Sequence, residues 1–190
     1  MSGKPIGEIR QQLGKLIQEK AYHEGAIKLA SGKVSPYYLD ARAVTLSSEG
    51  AYCVGHILFD MVRDLGVAAV GGPTLGADPM VGALAAVSFL NHKPINTFLI
   101  RKTPKDHGRM LQVEGPALTA GEEVVLLDDV ATTGGSLVEA MTILKKMDVS
   151  VRQAIVLIDR EEGARENLAK HDCPLISVFK ASEFFSSKIR

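Results

Sequence analysis

The chain has 190 residues, of which 46% are hydrophobic, and its 22 basic side chains equal its 22 acidic ones in number. This length and apolar content suffice for one sizeable core, so we expect a single domain, 1–190, with a small N-terminal appendage. The even charge balance argues against a basic surface that would favour nucleic acid. Cys53 and Cys173 lie far apart without metal-ligand spacing, which argues against a disulfide framework and a structural zinc site.

The N-terminus and the hydropathy pattern bear on localisation. Residues 1–10 lack the apolar core of a signal peptide, and no window of the chain approaches a membrane-spanning apolar run. We therefore expect a cytoplasmic protein that has neither a membrane nor a nucleic acid as its partner.

The predicted elements begin with an amphipathic helix at 6–20, where apolar residues recur at helical spacing. Two short strand-like segments follow at 26–30 and 37–39, separated by a Ser-Gly-Lys turn and a proline. They predict a hairpin outside the main sheet, which we call the hood, so that the appendage spans about 1–45. A second helix is predicted at about 48–65.

From residue 67 onwards, short apolar strands alternate with longer helical segments. The strands are predicted at 67–70, 97–100, 124–127, 154–158 and 175–179, and the helices between them include 80–90 and 137–147. This alternation predicts an α/β core over about 46–190, with a mainly parallel sheet covered by helices on both faces. Ligands of such sheets bind beyond the carboxyl ends of the strands, so the loops there are expected to carry the chemistry.

A long segment near 101–120 interrupts the alternation. It is polar at its start and rich in glycine and proline. Two interpretations are open from these residues alone: a mobile lid over a site, or a surface loop with incidental charges.

The segment 124–136 combines an apolar strand, the carboxylates of Asp128 and Asp129, and a Thr/Gly-rich turn that opens a helix. Glycines let backbone amides approach an anion, hydroxyl groups add donors, and the helix N-terminus adds favourable partial charge. Residues 132–136 therefore predict a phosphate site.

The two carboxylates suit a phosphate ligand that also bears hydroxyl groups. In a ribose 5-phosphate they can accept from the 2′- and 3′-hydroxyls and stabilise the positive charge that develops as C1 loses its leaving group. The alternative is that both aspartates merely cap the following helix. The chain has neither a Walker loop nor a GxGxxG turn after a strand, which argues against an NTPase and a dinucleotide-dependent dehydrogenase.

Residues 128–136 resemble the phosphoribosyltransferase signature, and the whole chain resembles the orotate phosphoribosyltransferase family. Four further segments carry the resemblance: 29–40, 71–79, 101–108 and 158–160. It implies the type I phosphoribosyltransferase fold, a central mainly parallel sheet flanked by helices with a small N-terminal hood. It also implies transfer of ribose 5-phosphate from phosphoribosyl pyrophosphate to orotate in pyrimidine biosynthesis, by a homodimer, with Mg²⁺ carried by the donor rather than by direct protein ligands.

The resemblance also implies roles for individual residues. Asp128 and Asp129 would bind the ribose and act in catalysis, and Arg160 with Thr132 would bind the orotate carboxylate. Backbone groups around Tyr37 and Tyr38 would face the base, and an alternative interpretation of their rings is packing between hood and sheet. The stretch that binds the donor would continue through Val130, Ala131, Thr132, Thr133, Gly134, Gly135 and Ser136.

The predicted lid matches the catalytic loop of the family at its basic positions: Arg101, Lys102, Lys105 and His107. These side chains would neutralise the departing diphosphate, and lid closure would exclude water. Lys105 and His107 would serve the site of the neighbouring subunit. His107 is interpreted either as a proton donor or as a fixed charge. The loop 72–79 would hold the diphosphate through its amides.

Two positions depart from the family. Many members carry a lysine where this chain has Ala30 and another where it has Leu75, so the donor site loses two cations. Lys28, Lys33 or Asp78 are candidates for compensation. Two rival functions are open: a phosphoribosyltransferase for another base, and a regulatory protein that senses the donor without turnover. The lid cations argue against the latter.

Overall fold

The structure is a computed structural model that describes residues 4–28, 34–103 and 112–185. The helices in this part of the chain are Ile6–Lys20 (α1), Arg42–Thr45 (α2), Ser48–Val62 (α3), Asp78–Leu90 (α4), Gly135–Lys145 (α5), Ala164–Ala169 (α6) and Ser182–Phe185 (α7). The strands are Tyr22–Lys28 (β1), Val34–Leu39 (β2), Ala69–Pro73 (β3), Asn96–Ile100 (β4), Val113–Glu114 (β5), Glu123–Ala131 (β6), Ser150–Asp159 (β7) and Leu175–Lys180 (β8).

The central sheet has the strand order β5-β4-β3-β6-β7-β8, and all neighbouring pairs except β4–β5 are parallel. The chain runs from β3 to β4 on one side and then crosses to β6 on the other side of β3. Loops after β3 and β6 therefore diverge, which opens a crevice at the carboxyl ends of these two strands. The predicted α/β fold with a mainly parallel sheet is confirmed.

Helices cover both faces of the sheet because successive side chains of each strand point to opposite faces. On β6, Val125 and Leu127 belong to the core cluster under α1, α3 and α4, whereas Val124 and Leu126 belong to the cluster under α5 and α6. All four side chains are fully buried. The near-continuous apolar runs of the sequence thus reflect strands that are buried on both sides.

The seam between β3 and β6 depends on Gly72. A Cβ atom at this position would lie 1.9 Å from the carbonyl oxygen of Leu127 and 2.9 Å from the Cβ of Ala77. Only glycine allows the two backbones to approach this closely, and the approach brings the loop after β3 against the end of β6.

The boundaries differ from the predicted ones in two informative places. Strand β6 extends to Ala131 because its pairing with β7 continues to the register pair Ala131 and Asp159. Asp128 and Asp129 therefore lie within the strand, and not in the loop after it as the sequence suggested. The hood is a separate antiparallel hairpin, as predicted, but its first strand begins at Tyr22.

Candidate active site

A cavity of about 860 Å³ opens at the carboxyl ends of the central strands. Its walls come from the end of the hood, the loop after β3, the end of β4, strand β5, the segment from the end of β6 to the start of α5, and the residue after β7. The lining residues include Leu39, Asp40, Arg42, Thr74, Leu75, Gly76, Arg101, Lys102, Glu114, Asp128, Asp129, Val130, Thr132, Ser136 and Arg160. The switch point of the sheet thus collects residues from six separate parts of the chain.

The carboxylate pair lies at the floor of this cavity. Asp128 is only 7% exposed and accepts hydrogen bonds from the Ser136 hydroxyl at 2.7 Å and from the Asp129 amide at 3.0 Å. Asp129 accepts from the amide of Val130 at 2.7 Å. These bonds orient both side chains before any ligand binds.

Burial raises the pKa of both carboxyl groups above the usual value for aspartate. At Asp128 the hydrogen bond from Ser136 opposes the rise, and at Asp129 the Val130 amide and the positive charge of Arg42 do so. A buried and a half-buried carboxylate side by side interact strongly with hydroxyl donors or with a positive charge brought by a ligand, because the protein excludes part of the water that would screen them.

The loop after β3 passes directly over the pair. A Cβ atom on Gly76 would lie 2.4 Å from Oδ1 of Asp128 and 2.5 Å from Oδ1 of Asp129. The Thr74 amide donates to the Ile100 carbonyl at 2.9 Å and is therefore taken up by the fold. Of the loop amides expected to hold a diphosphate, those of Leu75 and Gly76 have no acceptor among the described residues.

The predicted phosphate segment forms the start of α5. Gly134 adopts a left-handed conformation with φ of 74° at the N-cap, and the Asn167 amide group donates to the Thr133 carbonyl at 2.9 Å. Thr132 and Ser136 line the cavity. The Ser136 hydroxyl donates to Asp128, so it also links the phosphate segment to the carboxylate pair.

Arg160 is held tightly at the edge of the cavity. Its side chain is 8% exposed, and its Nε and Nη2 atoms each donate to Oε1 of Glu162 at 2.8 Å. The guanidinium carbon lies 4.6 Å from the centre of the Tyr37 ring. A planar cation fixed by a carboxylate and an aromatic face has a defined orientation toward the cavity.

The tyrosines of the hood differ from each other. Tyr37 is buried and contacts the rings of Tyr22 and Phe185 at centroid distances of 5.7 and 4.6 Å, whereas Tyr38 is 38% exposed. Neither tyrosine is among the residues lining the cavity, whose hood wall starts at Leu39. The Tyr37 side chain therefore serves packing between the hood and Arg160.

The predicted lid is described only at its two ends. The Arg101 amide donates to the Gln112 carbonyl at 2.8 Å, and Nη1 of Arg101 lies 3.4 Å from Oε1 of Glu114. Because β5 pairs with β4, the chain is anchored to the sheet again at Val113. Arg101 and Lys102 line the cavity as predicted. Lys105, His107 and Ala30 lie outside the described residues, so their roles stay predictions.

Sequence reasoning missed four charged residues of this region: Asp40, Arg42, Glu114 and Glu162. The first three line the cavity, and Glu162 holds Arg160. Asp40 and Arg42 directly follow a predicted strand of the hood, and this position was the sequence feature that could have marked them as candidates for the site.

Known proteins resemble this chain over most of its length. Residues 54–185 match the family model described as phosphoribosyl transferase domain. A curated orotate phosphoribosyltransferase of Aquifex aeolicus is 42% identical over 177 residues, which cover 92% of this chain and 96% of the relative. The chain belongs to the orotate phosphoribosyltransferase family. A second member, from Synechocystis, is 43% identical over 85% of this chain and 81% of its own length.

Solved structures of the family have the same fold. A Mycobacterium tuberculosis orotate phosphoribosyltransferase in complex with Fe(III) dicitrate superposes with a TM-score of 0.80 at 29% identity, covering 93% of this chain and 98% of that one. The same enzyme in complex with 5-phospho-α-D-ribosyl 1-diphosphate gives a TM-score of 0.77 at 26% identity, with coverages of 93% and 99%. The type I phosphoribosyltransferase fold implied by the sequence is thereby confirmed.

Proposed function

We propose that this protein transfers ribose 5-phosphate from phosphoribosyl pyrophosphate to N1 of orotate, forming orotidine 5′-monophosphate and pyrophosphate in pyrimidine biosynthesis. The observation that carries the proposal is that one cavity joins the carboxylate pair of Asp128 and Asp129, the N-terminus of α5 and a fixed arginine. Each of these three features matches one part of the two substrates: the ribose, its 5-phosphate and the orotate carboxylate.

The donor's 5-phosphate binds at the start of α5. Backbone amides of residues 132–136 and the partial positive charge of the helix N-terminus favour a dianionic group there. The ribose then lies over Asp128 and Asp129, whose oxygens accept from its 2′- and 3′-hydroxyls. The hydrogen bond from Ser136 to Asp128 keeps the phosphate and ribose subsites at a constant separation.

The chemical step breaks the bond between C1 and the diphosphate oxygen and forms the bond between C1 and N1 of orotate. The proton that N1 carried passes to the departing diphosphate or to water. Positive charge develops on the ribose ring while the diphosphate takes the bonding electron pair. Asp128 and Asp129 stabilise this charge more strongly than they stabilise the neutral sugar, since Asp128 is buried, Asp129 is half-buried and hydrogen bonds already orient both. The diphosphate departs toward the loop after β3 and the cations of the lid.

Arg160 selects the base. A guanidinium binds a planar carboxylate through two parallel hydrogen bonds, which uracil lacks the group to accept. Glu162 and Tyr37 hold the guanidinium in place, so its ordering entropy is already lost before orotate binds. Thr132 and the backbone near Tyr37 and Tyr38 complete the base site in this proposal.

The lid residues Arg101, Lys102, Lys105 and His107 neutralise the leaving diphosphate and exclude water from the ribosyl cation. Magnesium fits this site, because it prefers oxygen ligands and is commonly bound through substrate phosphates and one or two carboxylates. We expect Mg²⁺ to arrive on the diphosphate, with Asp128 and Asp129 as nearby carboxylates. When bound, it withdraws charge from the leaving group.

The deciding experiment is base consumption with phosphoribosyl pyrophosphate and magnesium, using orotate, uracil and hypoxanthine in parallel. We expect only orotate to yield a nucleoside monophosphate, identified by chromatography. Reaction with another base contradicts the role of Arg160 but leaves the donor site in place. Donor binding without any turnover supports a regulatory protein instead.

We further propose a homodimer in the cytoplasm with sites that share lid residues. None of the helices in the described ranges is long and apolar enough to cross a membrane.

Mixing Lys105→Ala protein with Asp129→Asn protein is expected to restore activity, because a mixed dimer rebuilds one intact site. No recovery, with subunit exchange demonstrated by mass spectrometry, contradicts the shared site.

A further inference from the structure

The cations that line the cavity approach it from different sides. Within the described part of the chain they are Arg42, Arg101, Lys102 and Arg160. Arg101 and Lys102 also border a small cavity beside Ser136 and Glu139, next to α5. Arg42 instead borders a second cavity of about 720 Å³ beside Leu75 and Asp78. Arg42 is therefore the cation that faces the loop after β3 from the side of the hood.

Arg42 is oriented by a residue of the same turn. It is the first residue of α2, and Oδ1 of Asp40 accepts from both its amide and its Nε atom, each at 3.2 Å. The Arg42 side chain is 45% exposed. A guanidinium that is anchored at one edge and open to solvent on the rest of its surface can bind an oxyanion without leaving its place.

Leu75 stands next to Arg42 in the wall of the cavity. Both residues, with Asp40, border the main cavity and the second one, so they lie between the two. Leu75 is 65% exposed and uncharged, at the loop position where the family resemblance implies a lysine. A large exposed leucine in a site that receives a diphosphate supplies no charge, and the neighbouring guanidinium supplies one.

The charge of Arg42 also acts on the catalytic pair. It counteracts the rise that burial causes in the pKa of Asp129. Arg42 and both carboxylates line the same cavity, so the guanidinium shares with them the space in which the diphosphate leaves the ribose.

We propose that Arg42, positioned by Asp40, binds the diphosphate of the donor and takes the place of the lysine that is absent at Leu75. The inference rests on the proposed function, because it identifies a residue of that same donor site. Arg42 touches the leaving group, whereas Asp40 acts only through Arg42.

The test compares two ligands by isothermal titration calorimetry: inorganic pyrophosphate with magnesium, and ribose 5-phosphate. We expect Arg42→Ala to weaken pyrophosphate binding by roughly 10- to 100-fold, the effect of losing a hydrogen bond to a charged group. Ribose 5-phosphate binding is expected to stay within twofold. Arg42→Lys keeps the charge but loses the planar guanidinium, so its pyrophosphate affinity should lie between those of the unsubstituted protein and Arg42→Ala.

Arg63→Ala is the matched control. The Arg63 side chain has the same 45% exposure and pairs with Asp60 and Asp64, but Arg63 does not line the cavity. The Arg63→Ala variant should bind both ligands with the affinity of the unsubstituted protein. Thermal unfolding shows whether each variant folds. If Arg42→Ala does not fold, the pyrophosphate affinities of Arg42→Lys and Arg42→Gln are compared instead.

A rescue variant sharpens the result. Adding Leu75→Lys to Arg42→Ala should recover at least half of the lost pyrophosphate affinity on a logarithmic scale, since the new cation faces the same wall. Unchanged pyrophosphate affinity in Arg42→Ala, or equal weakening of both ligands, overturns the inference.

Turnover of orotate by the unsubstituted protein tests the proposed function separately. If orotate reacts while pyrophosphate binding is independent of Arg42, this inference alone fails. If no base reacts but pyrophosphate binding depends on Arg42, the diphosphate site stands and the orotate assignment fails.

Discussion

The β3–β6 seam and the hood side of the cavity position functional residues by different means. At the seam, Gly72 and Leu127 bring two backbones together, and the carboxylates are placed by the strand itself. On the hood side, Arg160 is placed by side chains, Glu162 and Tyr37. A change in the backbone contact at the seam is expected to lower the stability of the fold. A change in a side chain that lines the cavity is expected to alter activity with little loss of stability.

The largest expected effect is that of Gly72→Ala at the seam. The added Cβ meets the Leu127 carbonyl oxygen at 1.9 Å, and overpacking of this kind costs about 3 kcal/mol or more of unfolding free energy. Urea unfolding measures the loss. Gly82→Ala is the control: this helical glycine has nothing within 4 Å of the added atom and should gain about 0.5–1 kcal/mol. Equal stability of both variants contradicts the close approach at the seam.

Asp129→Asn should separate chemistry from folding. Removing one carboxylate from the developing ribosyl cation is expected to lower kcat by roughly 100- to 1000-fold, the range seen when one preorganised electrostatic group is lost. The asparagine side chain keeps an acceptor for the Val130 amide, so the melting temperature should not fall. Steady-state kinetics and thermal unfolding check the two halves, and an unchanged kcat removes the catalytic role of Asp129.

Arg160→Ala should act on the base and spare the donor. Loss of a paired guanidinium is expected to raise the orotate KM by roughly 10- to 100-fold, with a much smaller change in the donor KM. Glu162→Gln should raise the orotate KM less, because Arg160 keeps its stacking on Tyr37. Equal changes in the KM of both substrates place Arg160 outside the base site.

Asp128→Asn should reveal a stability cost that depends on pH. Burial raises the pKa of Asp128 in the folded protein above its unfolded value, so this group stabilises the fold at low pH and that contribution is lost as pH rises through the folded pKa. The uncharged asparagine avoids this loss. We expect the free energy of unfolding of the variant to exceed that of the unsubstituted protein by about 1–2 kcal/mol at pH 8. At pH 4, about the unfolded pKa of aspartate, the difference should be small.

Urea unfolding across this pH range measures the difference, and kcat should fall in the same variant. A gap that is constant with pH contradicts the raised pKa. A gap that widens as pH rises would show that keeping Asp128 ionised in the preformed site lowers the stability of the fold.

Part of the fold and the site was predictable from local pattern. The short apolar strands from residue 67 onwards were recognisable because strands buried on both faces carry apolar residues at nearly every position. The turn at 132–136 was recognisable as the start of a helix because glycine and threonine residues follow an apolar strand and precede an apolar helical pattern. The extent of β6 was not predictable from the local sequence, since the pairing of Asp128 with Val156 on β7 is a contact between distant parts of the chain.

The sequence by itself determined the α/β class, the carboxylate pair beside a Thr/Gly-rich turn, and the family resemblance, because these depend on residue types at short spacing. Tertiary structure alone decided that Glu162 and Tyr37 fix Arg160, that Gly76 presses the loop onto the carboxylates, and that Arg42 stands beside Leu75. Each of these depends on how the hood and the loops meet at the switch point. Distance along the chain carries no information about that meeting, because the side chains come together only when the sheet and its crossing connections have formed.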